Sequence, residues 1–291
     1  QTMPAEWTTH DRCWMAWPCR DGMWSESGGT QQHYADVAHA IRRFEPVTML
    51  VPPPLVAQAK NYLGADIEIF EVPIDDSWAR DSGPNFVHDA SGALAGVCFG
   101  FNAWGNKYQP YDQDAQMAER ILQRCDVPAI HSSLIAEGGG LCVDGDGTLL
   151  TTTSCFPNQN RNPDWTQDAI ENELKTQLGV DKVIWLPGDP LDDETEGHID
   201  GIAAFSKPGS IIIEASSNPR DPRKPFFDSL RRPLETETDA RGRPFELLEL
   251  PEAPDDCAIG DRCCLSYVNF YLANDAVIAP AYGIALDDDV K

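Results

Sequence analysis

Apolar and polar positions switch between two periods in the first third of this chain. Behind Thr30, a candidate helix cap, Tyr34, Val37, Ala38, Ile41 and Phe44 recur at i, i+3, i+4 spacing and predict a helix with one apolar face. VTMLV, following Pro46, is apolar but for one threonine and reads as a buried strand. A shorter helix is expected over 54–63, stopped by Gly64, ahead of a strand over IEIFEV. Alternating helices and strands place the chain in the α/β class.

From Asp81 the alternation becomes regular, and one unit of hairpin, helix and strand accounts for three successive stretches. The first has strands over 85–88 and 93–99 around the DASG turn, a helix over 112–124 and a strand over 129–135. The second has strands over 141–143 and 148–153 around Asp144-Gly145-Asp146-Gly147, a helix over 164–178 before Gly179, and the strand KVIWL. The third pairs 199–205 with 210–215 across a KPG turn, with a helix near 225–231 and a strand over 245–250. A fourth opens with SYVNFYL, turns at Ala273-Asn274-Asp275, continues as AVIAP and reaches Lys291 where its helix is expected, so the C-terminal part of this unit is expected to be missing. Each unit exposes the apolar face of its helix unless a neighbour covers it. One domain over 1–291, an array of units around a continuous core, is therefore expected, with 216–243 as an elaborated loop and helix.

Composition supports a packed protein: 42% of residues are hydrophobic and 24% charged. No run of eighteen apolar residues occurs, and the opening QTMPAEWTTHDRCWMAWP lacks a basic stretch followed by an apolar one. Neither a membrane span nor a signal peptide is predicted, and a cytoplasmic location is expected. The nine cysteines are irregularly spaced, with no C-x-x-C pair and no histidines at zinc spacing, which predicts reduced thiols. A formal charge of −25 argues against nucleic acid or an anionic membrane as partner and would draw in a small cation. A merely solubilising or salt-adapted surface explains the same charge. A homo-oligomer stays open.

Residues suited to chemistry recur at one place in the unit, at or just before its first strand: Trp78-Ala79-Arg80-Asp81, Glu137-Gly138-Gly139-Gly140, Gly197-His198-Ile199-Asp200 and Ser266-Tyr267-Val268-Asn269. If the units share an axis, these side chains converge on it. Asp81 suits either a site carboxylate or an Asx turn. On a strand, His198 and Asp200 face the same side, and a carboxylate beside an imidazole tunes it for proton transfer. Two carboxylates with an imidazole suit a guanidinium, whose forked donors a carboxylate accepts in pairs. Trp78 and Trp104 can stack on such a cation, or serve as core.

Other signals carry less. The DGDG turn has Cys155 where a calcium loop needs glutamate, and reads as a hairpin turn. The cluster Asp192, Asp193, Glu194, Glu196, His198, Asp200 lacks a recognised metal spacing, so no metal is expected. The triple glycine has no following lysine for a phosphate.

MPAEW with WMAWP, DDSWARDSGP, FNAWGNKY, EGGGLCVDGDGTLLTT, NQNRNP, VIWLP with GHID, and SYVNFYLAN with VIAPAYG together resemble the bacterial and plant agmatine deiminases of the guanidine-modifying (pentein) superfamily, along the whole chain. The resemblance implies a five-bladed α/β propeller of ββαβ units with pseudo-fivefold symmetry. It implies that Asp81 and Asp200 grip the guanidinium, that Glu137 orients His198 as an acid–base pair, and that Trp78, Trp104 and Asn269 line the substrate. The implied reaction hydrolyses agmatine to N-carbamoylputrescine and ammonia, a step toward putrescine, through a cysteine thiouronium with no metal or organic cofactor. The family's nucleophile lies in a glycine-rich segment near the C-terminus, and no residue of this sequence corresponds to it. Cys142 falls where the family usually has histidine, and Cys155, Cys263 and Cys264 are expected in the core. Two rivals remain: a deiminase of peptidyl or free arginine, and a non-catalytic guanidine-binding protein.

Overall fold

The computed structural model describes residues 1–23, 29–192, 194–216, 219–254, 257 and 265–290. Its elements fall into five sheets. The first holds β1 (Cys13–Ala16), β2 (Val47–Val51) and β3 (Glu68–Glu71), all parallel, with α1 (Gly29–Arg42) and α2 (Val56–Leu63) as crossovers. After the one-turn α3 (Ala79–Ser82) come β4 (Asn85–His88), β5 (Leu94–Gly100), the short turn α4 (Ala103–Asn106), α5 (Met117–Cys125) and β6 (Ala129–Ile135). The third sheet is β7 (Cys142–Val143), β8 (Thr148–Thr152) and, after α6 (Gln167–Leu178), β9 (Lys182–Leu186). The fourth is β10 (Ala203–Lys207), β11 (Ser210–Ala215) and, after α7 (Lys224–Thr236), β12 (Glu246–Pro251). The hairpin β13 (Tyr271–Ala273) and β14 (Ala276–Ile278) precedes α8 (Leu286–Asp289).

The second, third and fourth sheets share one topology: an antiparallel hairpin whose second strand pairs in parallel with the strand after the helix. This is the repeat expected from the sequence. Helix α6 shows how locally it is written: the Thr166 side chain accepts from the Ala169 N–H, and Gly179 closes the other end at φ 66°.

Apolar clusters join consecutive units. Tyr271 and Ile278 of the β13–β14 hairpin pack against the cluster that holds Met49 of β2 and Trp17, the residue after β1. Ala16 and Leu50 pack with Met117 and Ile121 of α5. Val97 shares a cluster with Leu149 and Ile170, and Leu150 and Ile184 share the next with Ile211 and Leu230. The hairpin is also clasped to the first unit through buried Glu45, which accepts from the Tyr271 hydroxyl at 2.5 Å and the Asn274 N–H at 2.8 Å and lies 3.2 Å from His10 Nδ1.

Three expectations need correction. Thr30 is the second residue of α1, not its cap, and the buried stripe runs through Ala35, Ala38 and Ile41, leaving Val37 and Phe44 exposed. Alanines let α1 lie close to the sheet, so the face turns away from the bulkier residues. The segment 199–205 becomes strand only at Ala203, because the N–H groups of Ile202 and Ala203 both donate to the Ile199 carbonyl in a turn. SYVNFYL pairs only from Tyr271 onward, since Ser266 Oγ takes the Val268 N–H at 3.1 Å and draws the chain out of a ladder. Cys263 and Cys264 lie outside the described residues. Among the described residues no helix is long and apolar enough to cross a membrane.

Candidate active site

The turns before β4, β7 and β10 meet at Gly139. Its N–H donates to Asp81 Oδ1 at 2.9 Å, and its carbonyl accepts from the Asp200 N–H at 3.1 Å. A Cβ there would fall 2.5 Å from His198 Nδ1 and 2.8 Å from both Asp200 Oδ2 and Asp81 Oδ1. Three side chains from two units thus crowd the glycine of a third, and the triple glycine exists for close approach. On either side, a Cβ on Gly138 would lie 2.1 Å from the Arg80 carbonyl oxygen, and one on Gly140 would lie 2.4 Å from the Phe156 ring.

His198 and Asp200 arrive on a loop, not a strand, and Asp192 shapes that loop. Its Oδ1 accepts from the N–H groups of Glu194 and Thr195, and its Oδ2 from the Gly197 N–H and the Thr195 hydroxyl. Thr195 Oγ1 then accepts from the His198 N–H at 3.2 Å. The acidic run set aside as a metal cluster is spent partly on loop geometry; its Asp193 lies outside the described residues.

Glu137 is wholly buried and is held by Arg161, whose Nε lies 3.0 Å from Oε1. The same guanidinium donates to Glu196 Oε2 at 2.7 Å and to the Thr195 carbonyl at 2.7 Å, tying the Glu137 turn to the His198 loop. Burial opposes the Glu137 charge, but His198 and Arg161 hold its carboxyl below the ordinary range. His198 Nε2 lies 3.5 Å from Glu137 Oε2, an ion-pair contact without an aligned hydrogen bond, while Nδ1 lies 3.8 Å from Asp81 Oδ1. Burial works against the imidazolium, yet Asp81, Cys155 and Glu137 outweigh it and raise the His198 pKa well above the usual value. Burial lifts Asp200 to about 6, with Asp81 adding to the rise and His198 opposing it.

Aromatic rings stand over this constellation. Trp104 Nε1 donates to Asp81 Oδ2 at 3.0 Å. Its backbone is left-handed at φ 54°, ψ 45°, as are Ala103 and Asn106 at φ 51° and 64°, an arrangement non-glycine residues hold only when tertiary contacts enforce it. Trp78, 39% exposed, meets Trp104 edge to face at 5.9 Å, and Tyr108 flanks Trp104 at 5.8 Å. The Tyr108 hydroxyl donates to Glu194 at 2.6 Å. Asn269 is exposed and shares a small cavity with Asp200, Arg80 and Glu6, but is not among the groups gathered at Gly139.

Cys155 is core, as expected, yet its Sγ lies 3.7 Å from Glu137 Oε2. Glu137, Cys155 and His198 have ligand atoms within 4.8 Å of one another and could hold a metal ion, although Arg161 already supplies a positive charge to that carboxylate. Burial raises the thiols of Cys13, Cys98 and Cys155 to about 11 and those of Cys19 and Cys142 to about 12, the opposite of an activated nucleophile.

A sequence profile of the Porphyromonas-type peptidyl-arginine deiminases matches residues 2–291. The chain belongs to that family. Among relatives of this deiminase family, the agmatine deiminase of Pseudomonas fluorescens is 38% identical over 315 residues, covering 99% of this chain and 85% of its own length. The solved agmatine deiminase of Enterococcus faecalis superposes with a TM-score of 0.94 at 33% identity, covering 99% of this chain and 86% of that one. A C. jejuni agmatine deiminase with substrate bound superposes at 0.89 with 26% identity, over 100% of this chain and 85% of that one. In this member of the deiminase family, sequence reasoning placed Asp81, Glu137, His198, Asp200, Trp78 and Trp104 in one region but gave no role to Arg161 and named Asp192 only within the acidic run set aside as a metal cluster. The only signal for Arg161 was its place in NQNRNP, and for Asp192 its spacing ahead of Thr195 and Gly197.

Proposed function

We propose that this chain is an agmatine deiminase, converting agmatine and water to N-carbamoylputrescine and ammonia. The observation that carries the reading is the convergence of Asp81, Asp200 and His198 on Gly139, a cluster of two carboxylates and an imidazole beneath a tryptophan wall. The agmatine deiminase relatives agree with it. The finer architecture we propose is a five-bladed propeller of ββαβ units working as a single domain over 1–291. Its support is the unit repeated in three sheets, with apolar clusters joining successive units. Cys13, Cys19, Cys98, Cys125, Cys142 and Cys155 form no disulfide, which suits a cytoplasmic location.

In this reading the guanidinium enters between Asp81 and Asp200, each accepting forked N–H donors, and Trp78 and Trp104 stack beside it. His198 Nδ1 faces that space while Nε2 faces Glu137, so Nδ1 is the nitrogen that meets substrate. A thiolate adds to the guanidinium carbon. The C–N bond to one terminal nitrogen then breaks as His198 gives it a proton and ammonia leaves. Water, giving a proton back to His198, adds to the thiouronium carbon, and the C–S bond breaks to release the ureido product. Glu137, kept ionised by Arg161, holds the imidazolium in both steps, and the aspartates hold positive charge throughout. We assign the thiolate to none of the described cysteines.

The test is product analysis with the natural full-length protein. Equal amounts of ammonia and N-carbamoylputrescine from agmatine, with far slower turnover of arginine and peptidyl-arginine, support the reading. Preference for an arginine substrate contradicts it.

A further inference from the structure

We propose that Arg20 is a positioning residue for the tryptophan wall, setting the separation of Trp78 and Trp104 without touching the substrate. The inference rests on the reading that these two rings flank the guanidine.

Trp78 and Trp104 lie on separate segments that meet at only 5.9 Å and 88°. Arg20 spans both. Its Nε donates to Asp76 Oδ2 at 2.7 Å, two residues before Trp78, where the Asp76 side chain is 1% exposed. Its Nη1 donates to the Gln109 carbonyl at 3.1 Å and its Nη2 to the Pro110 carbonyl at 2.9 Å, beyond the Trp104 turn. Its guanidinium carbon also stands 5.8 Å from the centre of the Tyr108 ring, which itself abuts Trp104.

A second link runs alongside. Asp75 N–H donates to Asp114 Oδ1 at 2.8 Å, and Gln113 N–H donates to Asp75 Oδ2 at 2.7 Å. This link joins the two segments farther along the chain from Trp104 than Gln109 and Pro110. Trp104 is held at its indole nitrogen by Asp81 and Tyr108 at its hydroxyl by Glu194, while Arg20 fixes the chain just after them, at Gln109 and Pro110, and faces the Tyr108 ring. The task suits arginine, because one rigid fork places three donors on three acceptors, whereas lysine offers a mobile point charge. The left-handed turn at Ala103, Trp104 and Asn106 is closed locally by Asn102, whose Oδ1 accepts from the Gly105 N–H, but its place relative to Trp78 is set by ties between segments: Trp104 to Asp81, and Arg20 to Asp76 and to the Gln109 and Pro110 carbonyls.

The variant to make is Arg20→Lys, which keeps a positive charge beside Asp76 and gives up the carbonyl bonds. Two edge-to-face indoles produce an exciton couplet in far-ultraviolet circular dichroism, which Trp78→Phe would identify by its loss. We expect Arg20→Lys to lose most of that couplet and, in the natural full-length protein, to raise KM for agmatine about tenfold with kcat within about threefold. An unchanged couplet overturns the proposal, whether or not agmatine is the substrate. Lower thermal stability with couplet and KM intact would make Arg20 merely structural and overturn it equally. If wild-type protein shows no agmatine turnover, the functional reading fails and the couplet still decides the role of Arg20.

Discussion

Arg161 and Glu137 meet at 3.0 Å with neither side chain reached by solvent. The pair lies behind His198 and not against the guanidinium space, so it controls the imidazole's partner. Removing the guanidinium leaves a buried carboxylate that takes up a proton, a change costing about 3–5 kcal/mol of stability. Arg161→Met is therefore expected to lower kcat at least about 100-fold. Arg161→Lys, retaining charge but losing the fork to Glu196 and Thr195, should fall between Arg161→Met and wild type. Ammonia release and urea unfolding measure the two effects, and wild-type kcat in a folded Arg161→Met protein would rule out the role.

Asp200 predicts a pH dependence. Its carboxyl titrates near 6, raised first by burial, and guanidinium binding needs the ionised form. Agmatine affinity should be flat above that value and fall about tenfold per pH unit below it. Asp200→Asn should weaken binding about 100-fold or more at neutral pH, with circular dichroism unchanged.

Gly139→Ala tests the crowding directly. The methyl would sit within 2.8 Å of His198, Asp200 and Asp81, so these side chains must part. We expect a stability loss of about 1–3 kcal/mol with loss of agmatine binding out of proportion to it. Urea unfolding and a binding titration on the same preparation separate the two effects.

Stability itself should fall as pH rises toward neutrality. Burial raises Asp114 and Glu214 to about 7 and Asp200 to about 6, so the folded chain retains protons that the unfolded chain has already lost. Stability from such groups is full below their unfolded pKa values near 4 and is lost as pH climbs through 6 to 7. Self-repulsion from a formal charge of −25 acts in the same direction. The thermal midpoint should be higher at pH 5.5 than at pH 8, and Asp114→Asn, which mimics the protonated side chain, should flatten the difference.

The repeat was legible in the sequence because it is written locally, in turn residues such as Gly179 and in hairpins such as Asn85–His88 with its partner. The gathering of Asp81, Glu137 and His198 at the candidate site was legible for the same reason: they stand at one place in successive units, so topology alone brings them together. What the chain does at Arg161 and Asp192 was not, since both act through contacts that no periodicity encodes. Periodicity also misled at α1, where Val37 and Ala35 fit helical spacing about equally well and the sheet selects the smaller residue. The loop at Ile199 was misread because an apolar run cannot distinguish a strand from a tight turn buried in the core.

The measurement that tests the account most directly is a calorimetric titration of agmatine into this chain near pH 7.5, repeated with Asp81→Asn, Asp200→Asn and arginine in place of agmatine. The account predicts saturable one-to-one binding of agmatine, its loss in both variants and much weaker binding of arginine. No binding by the wild-type chain, or binding that survives both substitutions, would contradict the claim that the carboxylates around Gly139 hold a guanidinium.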